Sequence, residues 1–168
     1  MALPDDAVTI RVAREDEWEA YRGIRLAMLK TDPGVFGSRY EDEIERTEDE
    51  WRRRTAFPDG AMFVAEAGGR WVGTANGSPW EEVPETLGLF GMWVEPAWRG
   101  RGIGEQLVEA VVALAGERGF PQVQLLVAEH ADAPRRLYER CGFVDTGERM
   151  PIRPVPGAWI GVIMRRPA

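Results

Sequence analysis

The chain has 168 residues, of which 44% are hydrophobic and 29% charged, the composition of one soluble globular domain (residues 1–168) with room for a sizeable core. A formal net charge of −7 argues against a nucleic-acid partner held by bulk positive charge, and no apolar run reaches the ~18–20 residues of a membrane span, so no membrane partner is expected. The single lysine, Lys30, follows Leu29 and cannot sit in a Gly-Lys-Ser/Thr phosphate loop, while one Cys (Cys141) and one His (His130) make neither a disulfide nor a zinc cluster.

Met1-Ala-Leu-Pro-Asp-Asp lacks the basic start and apolar segment of a secretory signal, which makes a cytoplasmic location the expectation. Ala7–Ala13 alternates like a strand, and Arg14-Glu-Asp-Glu opens a helix whose apolar stripe runs to Lys30, where Asp32-Pro-Gly breaks it. The charged run Glu41–Arg54 reads as a second, mostly solvated helix. Ala61–Glu66 and Arg70–Asn76, joined by Gly68-Gly69, read as a hairpin. A loop from Gly77 to Pro84 carries Trp80, Glu81 and Glu82. Leu87–Val94 is apolar enough for a buried central strand. Glu105–Arg118 is a helix with a broad apolar face, Gln122–Val127 a buried strand, and Asp132 is expected to cap a helix running to Cys141. Phe143–Met150 and Trp159–Met164 close the domain. The strand–helix–strand stretch in the second half requires a parallel pair, hence an α/β (α+β) architecture with a mixed sheet and helices on its faces. Trp18, Trp51 and Trp71 fall on core stripes, Trp80 and Trp98 flank the strand ends, and one of Met92 and Trp93 should face a site.

The chemical signal lies in Leu89-Phe-Gly-Met-Trp-Val-Glu-Pro-Ala-Trp-Arg-Gly-Arg-Gly-Ile-Gly104. A buried strand stops at Pro96, and a Gly-rich turn feeds a helix. Gly100, Gly102 and Gly104 permit close approach of the backbone, the free N–H groups of the helix start favour a phosphate or pyrophosphate, and Arg99 and Arg101 add charge. A plain tight strand–helix turn has the same spacing. The dinucleotide pattern G-x-G-x-x-G fails, because its last position is Glu105 or Leu107.

Arg99-x-x-Gly102-x-Gly104, with the apolar strand, Val94 and Pro96 before it, resembles the signature of the GCN5-related N-acetyltransferase (GNAT) superfamily. Gln124-Leu-Leu-Val127 followed by Arg136-Leu-Tyr-Glu-Arg-Cys-Gly-Phe143 is similar to a second block of that family. The resemblance implies a splayed mixed sheet of about seven strands and about four helices. It implies acetyl-CoA as cosubstrate, with its pyrophosphate on Arg99, Gly100, Arg101, Gly102, Ile103 and Gly104 and its pantetheine along Met92, Trp93 and Val94. It further implies Tyr138 as general acid toward the leaving sulfur, a role suited to a phenol of ordinary pKa ~10; a Tyr packed on the core is the plainer alternative. No metal is implied.

Thr86–Val94 has no carboxylate where some members carry a Glu, so the base is sought at Glu81, Glu82 or Glu129, or in water. Ala131 stands where many members have an Asn that contacts the cofactor. Phe36 and Tyr40 are chosen for acceptor contacts. The expected activity is N-acetylation of a primary amine (small molecule, amino acid, antibiotic or protein N-terminus) by direct attack in a ternary complex, with the −7 charge mildly favouring cationic acceptors. The rivals are a non-catalytic acyl-CoA-binding module, transfer of a longer acyl group, and transfer to oxygen. A homodimer is weakly expected. His130 is read as exposed. Cys141 is read as a small core residue, because a helix C-terminus disfavours a thiolate.

Overall fold

Strand alternation and apolar helix stripes close, in a computed structural model that describes residues 7–168, into one seven-stranded sheet of order β1-β2-β3-β4-β5-β7-β6. The Met1–Asp6 stretch behind the expected cytoplasmic location lies outside the described residues. The strands are β1 Val8–Val12, β2 Ala61–Ala67, β3 Arg70–Pro79, β4 Thr86–Val94, β5 Gln122–Ala128, β6 Val144–Pro151 and β7 Ile160–Pro167. The helices are α1 Trp18–Thr31, α2 Tyr40–Glu43, α3 Glu48–Ala56, α4 Ile103–Glu117 and α5 Asp132–Arg140. No helix among the described residues is long and apolar enough to cross a membrane.

Every neighbouring pair is antiparallel except β4–β5, which the α4 crossover makes parallel. That pair holds only at Thr86↔Gln122, Leu87↔Val123 and Gly88↔Gln124. Beyond Gly88, β4 continues against β3 while β5 continues against β7, so the sheet splays and leaves a wedge between the two strands.

Two apolar layers cover the sheet. On one face α4 packs Leu107, Val108 and Val111 over Leu87, Leu89 and Leu125; on the other, α1 and α3 bury Met28 and Trp51 against Met62 and Val64. A bulge in β4 decides which layer receives which side chain. Thr74 pairs with Trp93 and Asn76 with Phe90, so Ala75 opposes both Gly91 and Met92. Gly91 has φ +55°, which only glycine adopts without cost. The extra residue flips the alternation: Leu87 and Leu89 face α4 before it, Met92 and Val94 face α4 after it, and Trp93 turns to the α1 layer.

Four expectations change. The single helix Glu41–Arg54 is two helices, because Thr47 caps α3 with a reciprocal box: its hydroxyl accepts from Glu50 N–H at 3.3 Å and the Glu50 carboxylate accepts from Thr47 N–H at 2.7 Å. This segment is also less solvated than expected. Glu43 is buried and accepts from Arg46 at 3.0 Å and Arg54 at 2.8 Å. Gly77–Pro79 extends β3, since those residues pair with Leu89, Gly88 and Leu87. Asp132 is the first residue of α5 rather than its cap, which is Ala131 and offers no side-chain bond.

Candidate active site

The wedge between β4 and β5 is the mouth of a cleft of about 1100 Å³. The β4 edge from Leu89 to Val94 walls one side, and Leu126, Val127 and α5 wall the other. At its floor the chain leaves β4, makes a short 3-10 turn at Pro96–Trp98 and enters α4 through Gly102, which has φ +78°. Gly102 provides no side-chain cap, and the first intrahelical bond is donated by Gln106 to the Gly102 carbonyl at 3.2 Å. The amides before Gln106 therefore have no carbonyl partner within α4, and they lie at the positive end of a 15-residue helix. A Cβ built on Gly100 or Gly102 meets no atom within 4 Å, so the space over the turn is open. An anionic, extended ligand fits this combination: an open cradle of main-chain donors beneath a long cleft.

The arginines of the turn are engaged elsewhere. Arg99 donates to the Val94 carbonyl and to Asp32 Oδ2, both at 2.8 Å. Arg101 lies over the Trp98 ring at 4.7 Å and does not line the cleft. Positive potential at this floor thus comes chiefly from the helix terminus. Arg99 instead ties the end of β4 to the loop after α1, where Asp32 Oδ2 also accepts from Trp93 Nε1 at 2.7 Å. Arg140 lines the cleft and pairs with Glu105 at 2.9 Å, which holds that carboxyl below its usual range.

Tyr138 projects from α5 into the same cleft and is 7% exposed. Its ring meets Phe143 edge-on at 6.0 Å, and its hydroxyl has no hydrogen-bond partner among the described residues. Burial, with a smaller contribution from neighbouring Cys141, pushes the phenol well above its ordinary pKa, so it is protonated at neutral pH. The same burial raises the Cys141 thiol, in keeping with a core residue.

The structure brings together Met92, Trp93, Val94, Arg99, Gly100, Gly102, Ile103, Gly104 and Tyr138, with Phe36, Trp80, Glu81 and Glu82 on the rim. Trp80 stacks on Phe90 at 5.3 Å. Three anticipated residues fall outside. Arg101 is held by Trp98, Tyr40 packs on the α1–α3 core, and Glu129 points to Arg149 at 3.4 Å. His130 is exposed, lines the cleft and lies 4.5 Å from Trp159. Asp32 and Arg140 were missed: Asp32-Pro-Gly signals only a helix stop, and Arg140 is one of many arginines.

The model of the acetyltransferase (GNAT) family matches residues 13–143, and the chain belongs to that family. A probable N-acetyltransferase family 8 member 5 of Mus musculus is 36% identical over 92 residues, covering 53% of this chain and 40% of the relative. N-acetyltransferase 8 of Rattus norvegicus is 36% identical over 90 residues, covering 52% and 40%. The matches thus span about two fifths of these curated relatives' length. Among solved structures, a GNAT-family acetyltransferase from Streptococcus pneumoniae superposes with TM-score 0.78 at 20% identity, covering 96% of this chain and 99% of that one. A putative acetyltransferase from Salmonella typhimurium, solved with acetyl-CoA, superposes with TM-score 0.75 at 22% identity, covering 96% and 94%. These likenesses carry the fold, and the expected mixed, splayed sheet of seven strands is borne out, with five helices around it.

Proposed function

We propose that the protein transfers the acetyl group of acetyl-CoA to a primary amine within a ternary complex. The observation that carries this reading is a single cleft that joins three parts: the uncapped start of α4, the unpaired edge of β4 and a buried, protonated Tyr138. The diphosphate sits on the amides of the 99–104 turn, whose main-chain donors need no lysine. The pantetheine arm pairs with β4 near Met92–Val94, where β5 has diverged.

The amine nitrogen attacks the thioester carbon, the C–N bond forms and the C–S bond breaks. Main-chain N–H near Val94 steadies the carbonyl oxygen as it gains charge. Tyr138 donates its hydroxyl proton to the departing sulfur. The amine's own proton leaves toward Glu81 and Glu82 on the rim, directly or through water; Glu129, outside the cleft, takes no part.

Thiol release from acetyl-CoA across a library of amines tests the proposal. Amine-dependent release with formation of an acetamide is the expected result. Tight acetyl-CoA binding without release on any amine would refute catalysis in favour of a binding module. Competing longer acyl-CoAs in the same assay reads the acyl preference.

A further inference from the structure

A second cavity, of about 520 Å³, opens on the α1 side of β4 and shares Phe36, Phe90 and Gly91 with the cleft. Its lining includes two arginines, Arg25 and Arg54, and no Asp or Glu. That is a cationic chamber in a chain of net charge −7.

The two guanidinium groups differ in their commitments. Arg54 donates to both oxygens of Glu43, at 3.0 and 2.8 Å. Arg25 forms no ion pair among the described residues. Its Nη2 donates to Ser38 Oγ at 2.9 Å, its Nη1 reaches only the weakly accepting Met28 sulfur at 3.4 Å, and its Nε is buried without a partner. Burial lowers its pKa, but a guanidinium keeps its charge in a protein. Glu43 acts on Arg25 only at a distance, since its oxygens are bonded to Arg46 and Arg54. A secluded cation with no ion pair of its own is costly, and an anion supplied by a ligand offsets that cost.

A second polar group adjoins it. Asn76 is 6% exposed, and its Oδ1 is buried without a partner. A Cβ built on Gly91 would lie 3.0 Å from Asn76 Nδ2 and 3.6 Å from Arg25 Nη1. The bulge glycine thus lets two donors approach the β4 backbone closely, at the point where this chamber meets the cleft.

Resting on the acetyltransferase reading above, we infer that the acceptor is a small amino carboxylate, an amino acid or close analogue, whose carboxylate accepts from Arg25 and Asn76 Nδ2 while the orphan Asn76 Oδ1 accepts from its amine. The amine then extends past Gly91 toward the thioester. Planar guanidinium matches planar carboxylate, and Tyr21, Phe36, Phe57 and Phe90 give the rest of the chamber an apolar, aromatic lining. A polycationic acceptor is disfavoured here, as is a protein N-terminus, which carries an amide where an amino acid carries its carboxylate. Local charge at the chamber outweighs the preference for cations drawn from the whole chain.

The test compares L-amino acids, each beside its decarboxylated amine, with acetyl-CoA and the full chain. The best amino acid should exceed its amine about 10- to 100-fold in kcat/KM, mostly through KM, the worth of a charge-assisted hydrogen bond. Arg25→Met should erase that ratio and Arg25→Lys should restore part of it. If Arg25→Met does not fold, as judged by its melting curve, Asn76→Ala and Ser38→Ala must shrink the same ratio. Equal or better turnover of the amines, or a preference that survives the Arg25 and Asn76 changes, overturns the inference. If nothing is acetylated, binding of N-acetyl amino acids and N-acetyl amines to the CoA-saturated protein decides. A carboxylate preference there supports the chamber while the catalytic reading fails, and its absence removes the chamber's role.

Discussion

Gly102 and Gly119 stand at opposite ends of α4 with the same φ, +78°, and a Cβ on either meets nothing within 4 Å. Replacing either by alanine therefore adds the same backbone strain, about 1–2 kcal/mol for an L-residue in the left-handed region, and no clash. At about 2–4 °C per kcal/mol for a chain of this size, both variants should lose roughly 2–8 °C in Tm. Their effects on acetyl-CoA should part. The Gly102→Ala methyl enters the open cradle and holds the diphosphate off the amides. Losing one charge-assisted hydrogen bond there, about 1.5–3 kcal/mol, weakens Kd roughly 10- to 100-fold. Gly119→Ala, beyond the far end of the helix, should leave Kd within about twofold. Calorimetric titration of acetyl-CoA into both variants, beside their melting curves, checks this. An unchanged Kd for Gly102→Ala, or equal weakening in both, would refute the claim that this turn grips the diphosphate.

Tyr138→Phe should lower kcat by about 10²–10⁴-fold with little change in acetyl-CoA affinity, measured by single-turnover kinetics. Because its hydroxyl has no partner within the described chain, the variant should melt close to the parent. Glu17 is held by Arg11 at 2.6 Å, and despite the opposing cost of burial its carboxyl falls from 4.5 to about 2. A depressed pKa adds stability above the unfolded value and loses it as pH drops through the folded one. Glu17→Gln should therefore cost on the order of 2 kcal/mol at pH 7, shrinking between pH 4.5 and 2 in urea titrations. Burial pushes the Glu43 carboxyl up, but hydrogen bonding and charge from Arg54 outweigh it and the net shift is downward. Glu43→Gln leaves Arg46 and Arg54 without their shared counter-charge and should cost about 3–5 kcal/mol, read by denaturant unfolding.

The glycine turn into α4 and the place of Tyr138 in the cleft were legible in sequence because they depend on local facts: glycine positions, a strand stop, a helix start. The break between α2 and α3 was missed, although Thr47-Glu-Asp-Glu50 carries the capping-box pattern within the charged run. What a linear reading lacks is long-range partnership. Arg99 lines the cleft as expected, but its bond to Asp32, 67 residues away, had no signal in the sequence. Glu43 looked solvated among acidic neighbours, yet Arg54 across the α1–α3 layer makes it a buried hub. Arg25 was one more charged residue in the first helix; only the chamber around it reveals a guanidinium that forms no ion pair among the described residues.

Gly91 sets more than the curve of its strand. One added residue exchanges the two faces of everything that follows, so a single-residue deletion at that point would act on β4 as a frameshift acts on a message. Trp93 would trade layers with Met92 and Val94, the indole would lose Asp32, and the anchor of Arg99 on the Val94 carbonyl would be turned about. Length variation that a surface loop absorbs without notice is therefore barred here, and the spacing from Gly91 to the glycine turn shapes the cleft as much as any side chain that lines it.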